Sequence, residues 1–168
     1  MMKPLVSIIM GSTSDLPVME DAAKFFDEME IPFEMNALSA HRTPDEVMAF
    51  ARGARERGIR VIIAGAGMAA HLPGVIAAMT PLPVIGVPIK ASLEGLDSFL
   101  AIAQMPPGIP VATVAINGAR NAGILAAQII GTGDEVTMKK VIAFKEDLKS
   151  KIVKANKELE GVRFKFKV

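Results

Sequence analysis

The hydrophobic and polar positions of the chain fall into two alternating patterns. Short β-rich runs occur at residues 5–10, 33–38, 61–64, 83–87 and 110–116. The first is apolar at every position but Ser7, as in a strand covered by helices on both faces, which has almost no polar side to show. Between the runs, helical patterns occupy residues 16–29, 44–57, 73–79, 96–104 and 121–130. Pro17 and Pro44 stand in first helical turns, where a missing N–H does no harm, and Gly58 stops the second helix. Strand and helix thus alternate five times. That pattern predicts an α/β fold of three layers, a parallel sheet with helices on both faces. Five strands fit a doubly wound, flavodoxin-like order, whereas a TIM barrel needs eight.

The last segment breaks the pattern. Val141, Phe144, Leu148, Ile152, Ala155 and Leu159 recur at steps of three and four, which places them on one stripe of a helix of about 25 residues. The five-stranded sheet is covered without this helix. The stripe therefore meets either a neighbouring subunit, the favoured reading, or its own domain. On this division residues 1–133 form the α/β catalytic part and residues 134–168 a C-terminal helix and tail of the same domain.

Composition narrows the functional classes. The chain has 168 residues, 51% hydrophobic and 22% charged, which is globular in kind. Its apolar runs are too short to span a bilayer, so no membrane partner is expected. The N-terminal Met-Met-Lys-Pro leads into a run of strand length without the features of a signal peptide, which points to the cytoplasm. The net charge of +1 gives no strong field for nucleic acid. The tail is mildly basic, as a solvated helix face would be. There is no Cys, which removes disulfides and thiolate metal sites.

In open α/β sheets ligands bind beyond the carboxyl ends of the strands. The first strand ends in Gly11-Ser12-Thr13-Ser14-Asp15, suited either to hold an anion at a helix N-terminus or simply to cap that helix. The second ends in Ser39-Ala40-His41-Arg42-Thr43-Pro44. Arg clamps phosphate, and His titrates near neutral pH and carries protons. The third ends in Gly65-Ala66-Gly67-Met68-Ala69-Ala70-His71-Leu72-Pro73-Gly74. This matches the loose dinucleotide pattern G-x-G-x-x-A but sits on the third turn rather than the first. No acidic residue lies near position 85 to hold a ribose. Both histidines of the chain stand at strand ends. Two His without Cys or an obvious third ligand make a poor zinc site, so no metal is expected.

Taken together these segments resemble the N5-carboxyaminoimidazole ribonucleotide mutase family (PurE, class I). The resemblance covers about residues 5–131. It is carried by the Gly11–Asp15 and Ser39–Pro44 segments, by Gly65-Ala-Gly67 and Ala69-Ala-His-Leu-Pro-Gly74, and by Gln104-Met-Pro106, Gly108-Ile-Pro-Val111, Asn121-Ala122 and Leu125-Ala-Ala-Gln128. Met68 stands where the family pattern has glycine and Pro107 where it has Arg or another polar residue, and the 117–120 stretch is shorter. The resemblance implies a flavodoxin-like homo-octamer that needs no cofactor. It implies isomerisation of N5-carboxyaminoimidazole ribonucleotide, in purine biosynthesis, to the isomer carboxylated on the ring carbon. Ser12, Ser14, Asp15, Ser39 and Arg42 would bind the ribonucleotide, His41 would be the general acid/base, and Gly67, His71 and Leu72 would lie on the loop covering the base. The animal-type relative, which carboxylates aminoimidazole ribonucleotide with CO2, lacks the Ala-His-Leu-Pro-Gly loop. A flavin- or dinucleotide-binding redox module and a non-catalytic ligand-binding module are the readings from other classes.

Overall fold

The computed structural model describes residues 3–168; Met1 and Met2, which begin the N-terminal segment read above, lie outside the described residues. The strands are β1 (Val6–Met10), β2 (Phe33–Ala37), β3 (Val61–Gly67), β4 (Val84–Ile89) and β5 (Ala112–Thr113). The helices are α1 (Leu16–Glu28), α2 (Pro44–Gly53), α3 (Leu72–Ala77), α4 (Leu96–Ala103), α5 (Ala119–Gly131) and α6 (Glu135–Glu160). The sheet is parallel, in the order β2-β1-β3-β4-β5, which is the doubly wound, flavodoxin-like order.

Alternation along the strands divides the core in two. Val6, Ile8 and Met10 of β1, Val61 and Ile63 of β3, and Ile85, Val87 and Ile89 of β4 face α1 and α5. The residues between them, Ile9, Ile62, Ala64, Ala66 and Val84, face α2, α3 and α4. Successive side chains point to opposite faces, so an unbroken apolar strand feeds both layers at once. Phe25 and Phe26 of α1 are fully buried. At about 1.5–3 kcal/mol for each large apolar side chain, such burial is the main support of the sheet.

Several element boundaries differ from the sequence expectation, each for a local reason. β3 runs on through Gly65 and Ala66 to Gly67, paired with Val87, Pro88 and Ile89. Small residues are required there, since a Cβ on Gly65 would lie 2.4 Å from Met19 Sδ. α2 ends at Gly53, and the chain reaches Gly58, with φ +97°, through turns. β5 is only two residues long, not seven. Pro110 has no N–H to give a ladder, and Asn117 turns the chain away with φ 57°.

The stripe of α6 meets two environments. Val141 is buried, and Phe144 packs edge-on against Phe25, with ring centroids 5.4 Å apart at 77°. These residues lie against their own domain, as the second reading of the stripe had it. From Leu148 onward the stripe is exposed, Ile152 to 72%.

Candidate active site

Four strand ends shape one cleft of about 470 Å³, within the usual range for small-ligand sites. All nine residues singled out in the sequence line it: Ser12, Ser14, Asp15, Ser39, His41, Arg42, Gly67, His71 and Leu72. The cleft spans the carboxyl ends of β1 and β3, where the winding of the sheet reverses.

Beyond β1, residues Thr13–Asp15 form a 3₁₀ turn before α1, and Ser12 caps it, its Oγ accepting from the Ser14 N–H at 3.4 Å. Asp15 makes no capping bond to α1 through its side chain. Ser12 thus caps the turn and not α1 itself, so neither side chain caps that helix, and the Asp15 carboxyl is left to the cleft. Burial raises the Asp15 carboxyl above its ordinary value of 3.8; backbone hydrogen bonds from Ser12 and Gly11 and the charge of Arg42 oppose that rise.

The loop after β2 is held by its own side chains. Ser39 N–H donates to Thr43 Oγ1 at 2.9 Å, and the Thr43 N–H donates to the Ser39 carbonyl at 2.8 Å. Arg42 donates from Nε to Ser39 Oγ at 3.2 Å and from Nη2 to the Gly11 carbonyl at 2.8 Å. Two of its five N–H groups are thus spent on orientation, and three remain for an anion. Ser39 lines the cleft, but its oxygen is engaged in aiming Arg42. Thr43, which sequence reasoning passed over, closes this loop; its position just before Pro44 was the available signal.

Beyond β3, Gly67 brings its backbone so near the end of β4 that a Cβ would lie 3.2 Å from the Ile89 carbonyl and 3.4 Å from Ala91 Cβ. Met68 follows in the left-handed region at φ 54°, 62% exposed on the cleft wall. Leu72 lines the floor while belonging to the core beneath it. His71 opens α3, and its Nδ1 lies 2.7 Å from His41 Nε2, the rings edge to face at 87°. This bond joins loops whose strands are not neighbours, since β1 lies between β2 and β3.

Ala91 also lines the cleft and was not foreseen, because β4 extends two residues beyond the expected end at 87 and so reaches the rim. Among the described residues, no group of three or more His, Cys, Asp or Glu could hold a metal ion.

Comparisons with known proteins show the family. A family model described as AIR carboxylase matches residues 5–151. The N5-carboxyaminoimidazole ribonucleotide mutase of Thermotoga maritima is 56% identical over 163 residues, covering 96% of this chain and 95% of that protein. The phosphoribosylaminoimidazole carboxylase of Schizosaccharomyces pombe is 55% identical over 96% of this chain, which corresponds to 30% of that longer protein. The crystal structure of a PurE from Treponema denticola superposes with a TM-score of 0.85 at 28% identity, covering 93% of this chain and 98% of that one. With a model match across most of its length and relatives more than half identical, the chain belongs to the AIR carboxylase family, alongside the N5-carboxyaminoimidazole ribonucleotide mutases.

Proposed function

We propose that this enzyme isomerises N5-carboxyaminoimidazole ribonucleotide to 4-carboxy-5-aminoimidazole ribonucleotide in purine biosynthesis. The observation that carries the reading is the convergence of His41 with an oriented Arg42 and the Ser12–Asp15 turn on one cleft. Arg42 and the turn anchor the ribonucleotide, with the remaining guanidinium N–H groups directed to phosphate. His41 then handles the proton. It protonates the substrate nitrogen as the N–C bond breaks and CO2 leaves. The ring carbon attacks the same CO2, and His41 takes back the proton displaced from that carbon, so the cycle consumes none. Ala40, Ala66, Ala69 and Leu72 give the cleft apolar walls that help retain CO2. Holding the fragments together can supply on the order of 7–11 kcal/mol.

Direct carboxylation of aminoimidazole ribonucleotide is the second reading, favoured by the carboxylase name of the S. pombe relative. The mutase assay separates the two. Turnover of purified N5-carboxyaminoimidazole ribonucleotide at a rate independent of added bicarbonate supports the isomerase. Turnover of aminoimidazole ribonucleotide alone, rising with bicarbonate, supports the carboxylase. No helix among the described residues is long and apolar enough to cross a membrane. The working form is a cytoplasmic homo-octamer, in which the exposed half of the α6 stripe lies against a neighbouring copy.

A further inference from the structure

The bond between His41 and His71 has no part in the reaction as written above. It nevertheless sits inside the cleft, at 2.7 Å, between loops 30 residues apart in the chain. Neither Asp15 nor Arg42, the other ionisable groups lining the cleft, bonds to either ring. His41 Nδ1 and His71 Nε2 have no hydrogen-bond partner among the described residues.

We infer that His71 is a positioning residue for His41, acting as a neutral acceptor that fixes which nitrogen of His41 meets the substrate. This rests on the mutase reading of the cleft. A hydrogen bond between two imidazole nitrogens needs one N–H and one bare lone pair. With His71 neutral and its proton on Nε2, its Nδ1 is bare and accepts from His41 Nε2–H. His41 then keeps the Nε2 proton throughout, and Nδ1 is its reacting nitrogen. In the first step the Nδ1 proton passes to the substrate nitrogen as the bond to CO2 breaks. His41 is left neutral, with Nδ1 bare and Nε2–H still bound to His71. In the second step Nδ1 accepts the proton from the ring carbon as the new carboxylate is completed. The same ring orientation thus serves as acid and then as base, without a tautomer change between steps.

The two partners suit these roles. His71 is fixed by its backbone: its N–H donates to the Ala69 carbonyl at 2.8 Å, its carbonyl accepts from the Val75 N–H at 3.0 Å, and Leu72 beside it is buried. His41 lies on an exposed loop and needs an external hold. A carboxylate in place of His71 would hold an imidazolium more strongly. A neutral imidazole orients the ring without adding a negative charge near a departing carboxylate. Protonation of His71 removes the lone pair that accepts from His41 Nε2–H, so His71 would no longer hold His41 in this tautomer.

The chain has two histidines, so nitrogen-15 NMR of the full-length protein gives two imidazole systems. The expected spectrum shows His71 as the Nε2–H tautomer, and His41 with Nε2 protonated and hydrogen-bonded. In His71→Phe, His41 reverts to a mixture of tautomers. In kinetics, His71→Asn and His71→Phe lower kcat roughly 10–100-fold, as loss of an orienting partner does, leave KM within about threefold, and alter the acid side of the kcat–pH profile. An unaltered His41 spectrum in His71→Phe overturns the inference, as does a change confined to KM, which would make His71 a substrate contact. His41→Asn keeps the two questions apart. If it retains near-normal turnover, the mutase reading of His41 fails, while the wild-type spectrum still reports whether the bond exists.

Discussion

Burial holds the Asp15 carboxyl above the ordinary aspartate value of 3.8, so its ionised form is disfavoured in the folded chain. The folded state therefore binds the Asp15 proton more tightly than the unfolded state does. Stability contributed by this group is present at acid pH and is lost as pH rises from 3.8 through the raised folded value. Asp15→Asn removes that loss. Its thermal midpoint at pH 7–8 should equal or exceed that of the wild type, and the gap should close toward pH 4, while turnover falls. A variant less stable at neutral pH would show that the attraction of Arg42 outweighs burial. Arg42 itself is aimed by two bonds that Lys cannot make together. Arg42→Lys should raise KM for the ribonucleotide roughly 10- to 100-fold, the worth of about one charge-assisted hydrogen bond. The loss should shrink for the nucleoside lacking phosphate. An equal loss for both would take phosphate away from Arg42. Single residues in the cleft were legible because carboxyl strand ends are where such sheets bind ligands, and Ser12, His41, Arg42 and His71 all sit there. The bond between the two histidines was not legible. It depends on strand order, which brings loops of non-adjacent strands together over β1.

Elements were read well where periodicity alone decides and poorly where close packing does. Gly65 and Gly67 looked like a loop but form the end of β3, where a Cβ on Gly65 would collide with the Met19 side chain and one on Gly67 would crowd the Ile89 carbonyl. Nothing in a run of small residues distinguishes a crowded strand from a flexible turn. Gly86 in β4 makes the same point: a Cβ there would lie 2.3 Å from Ile102 Cγ2 on α4 and 3.0 Å from Val111 Cγ1. Ile102 is fully buried, and its branched Cγ2 sits close to the helix backbone, so it has little room to give. Gly86→Ala should cost about 1–3 kcal/mol by overpacking. For a chain of this size, that lowers the thermal midpoint by about 2–4 °C for each kcal/mol. Differential scanning calorimetry measures it directly, and an unchanged midpoint would mean that α4 shifts freely on the sheet. Met68 shows strain of another kind. A non-glycine residue at φ 54° persists only where its surroundings hold it, here on the wall of the cleft.

The whole molecule divides at a point that the chain's own periodicity does not mark. One apolar stripe runs the length of α6, and a stripe says which side is apolar but not what covers it. Val141 and Phe144 are covered by the chain's own α1 and α5. Leu148, Ile152 and Leu159 are exposed, and so are Phe164 and Phe166 in the tail that follows, Phe166 to 86%. Large apolar side chains held in water along one continuous face are characteristic of a surface that meets another protein. Two truncations separate the two parts. Deleting residues 148–168 removes only the exposed part, so circular dichroism and the thermal midpoint should stay near those of the full chain, while light scattering should show a smaller assembly. Deleting residues 134–168 also strips Val141 from the core and Phe144 from Phe25, so it should lower the thermal midpoint as well. The cost of emptying one large buried site, about 2–5 kcal/mol, sets the scale of that second loss. If the 148–168 deletion keeps the oligomeric state of the full chain, the exposed half of α6 is not an assembly surface. If it melts as low as the longer deletion, the outer turns of the helix support the fold of one subunit, and the division between core and contact lies further along the chain than Leu148.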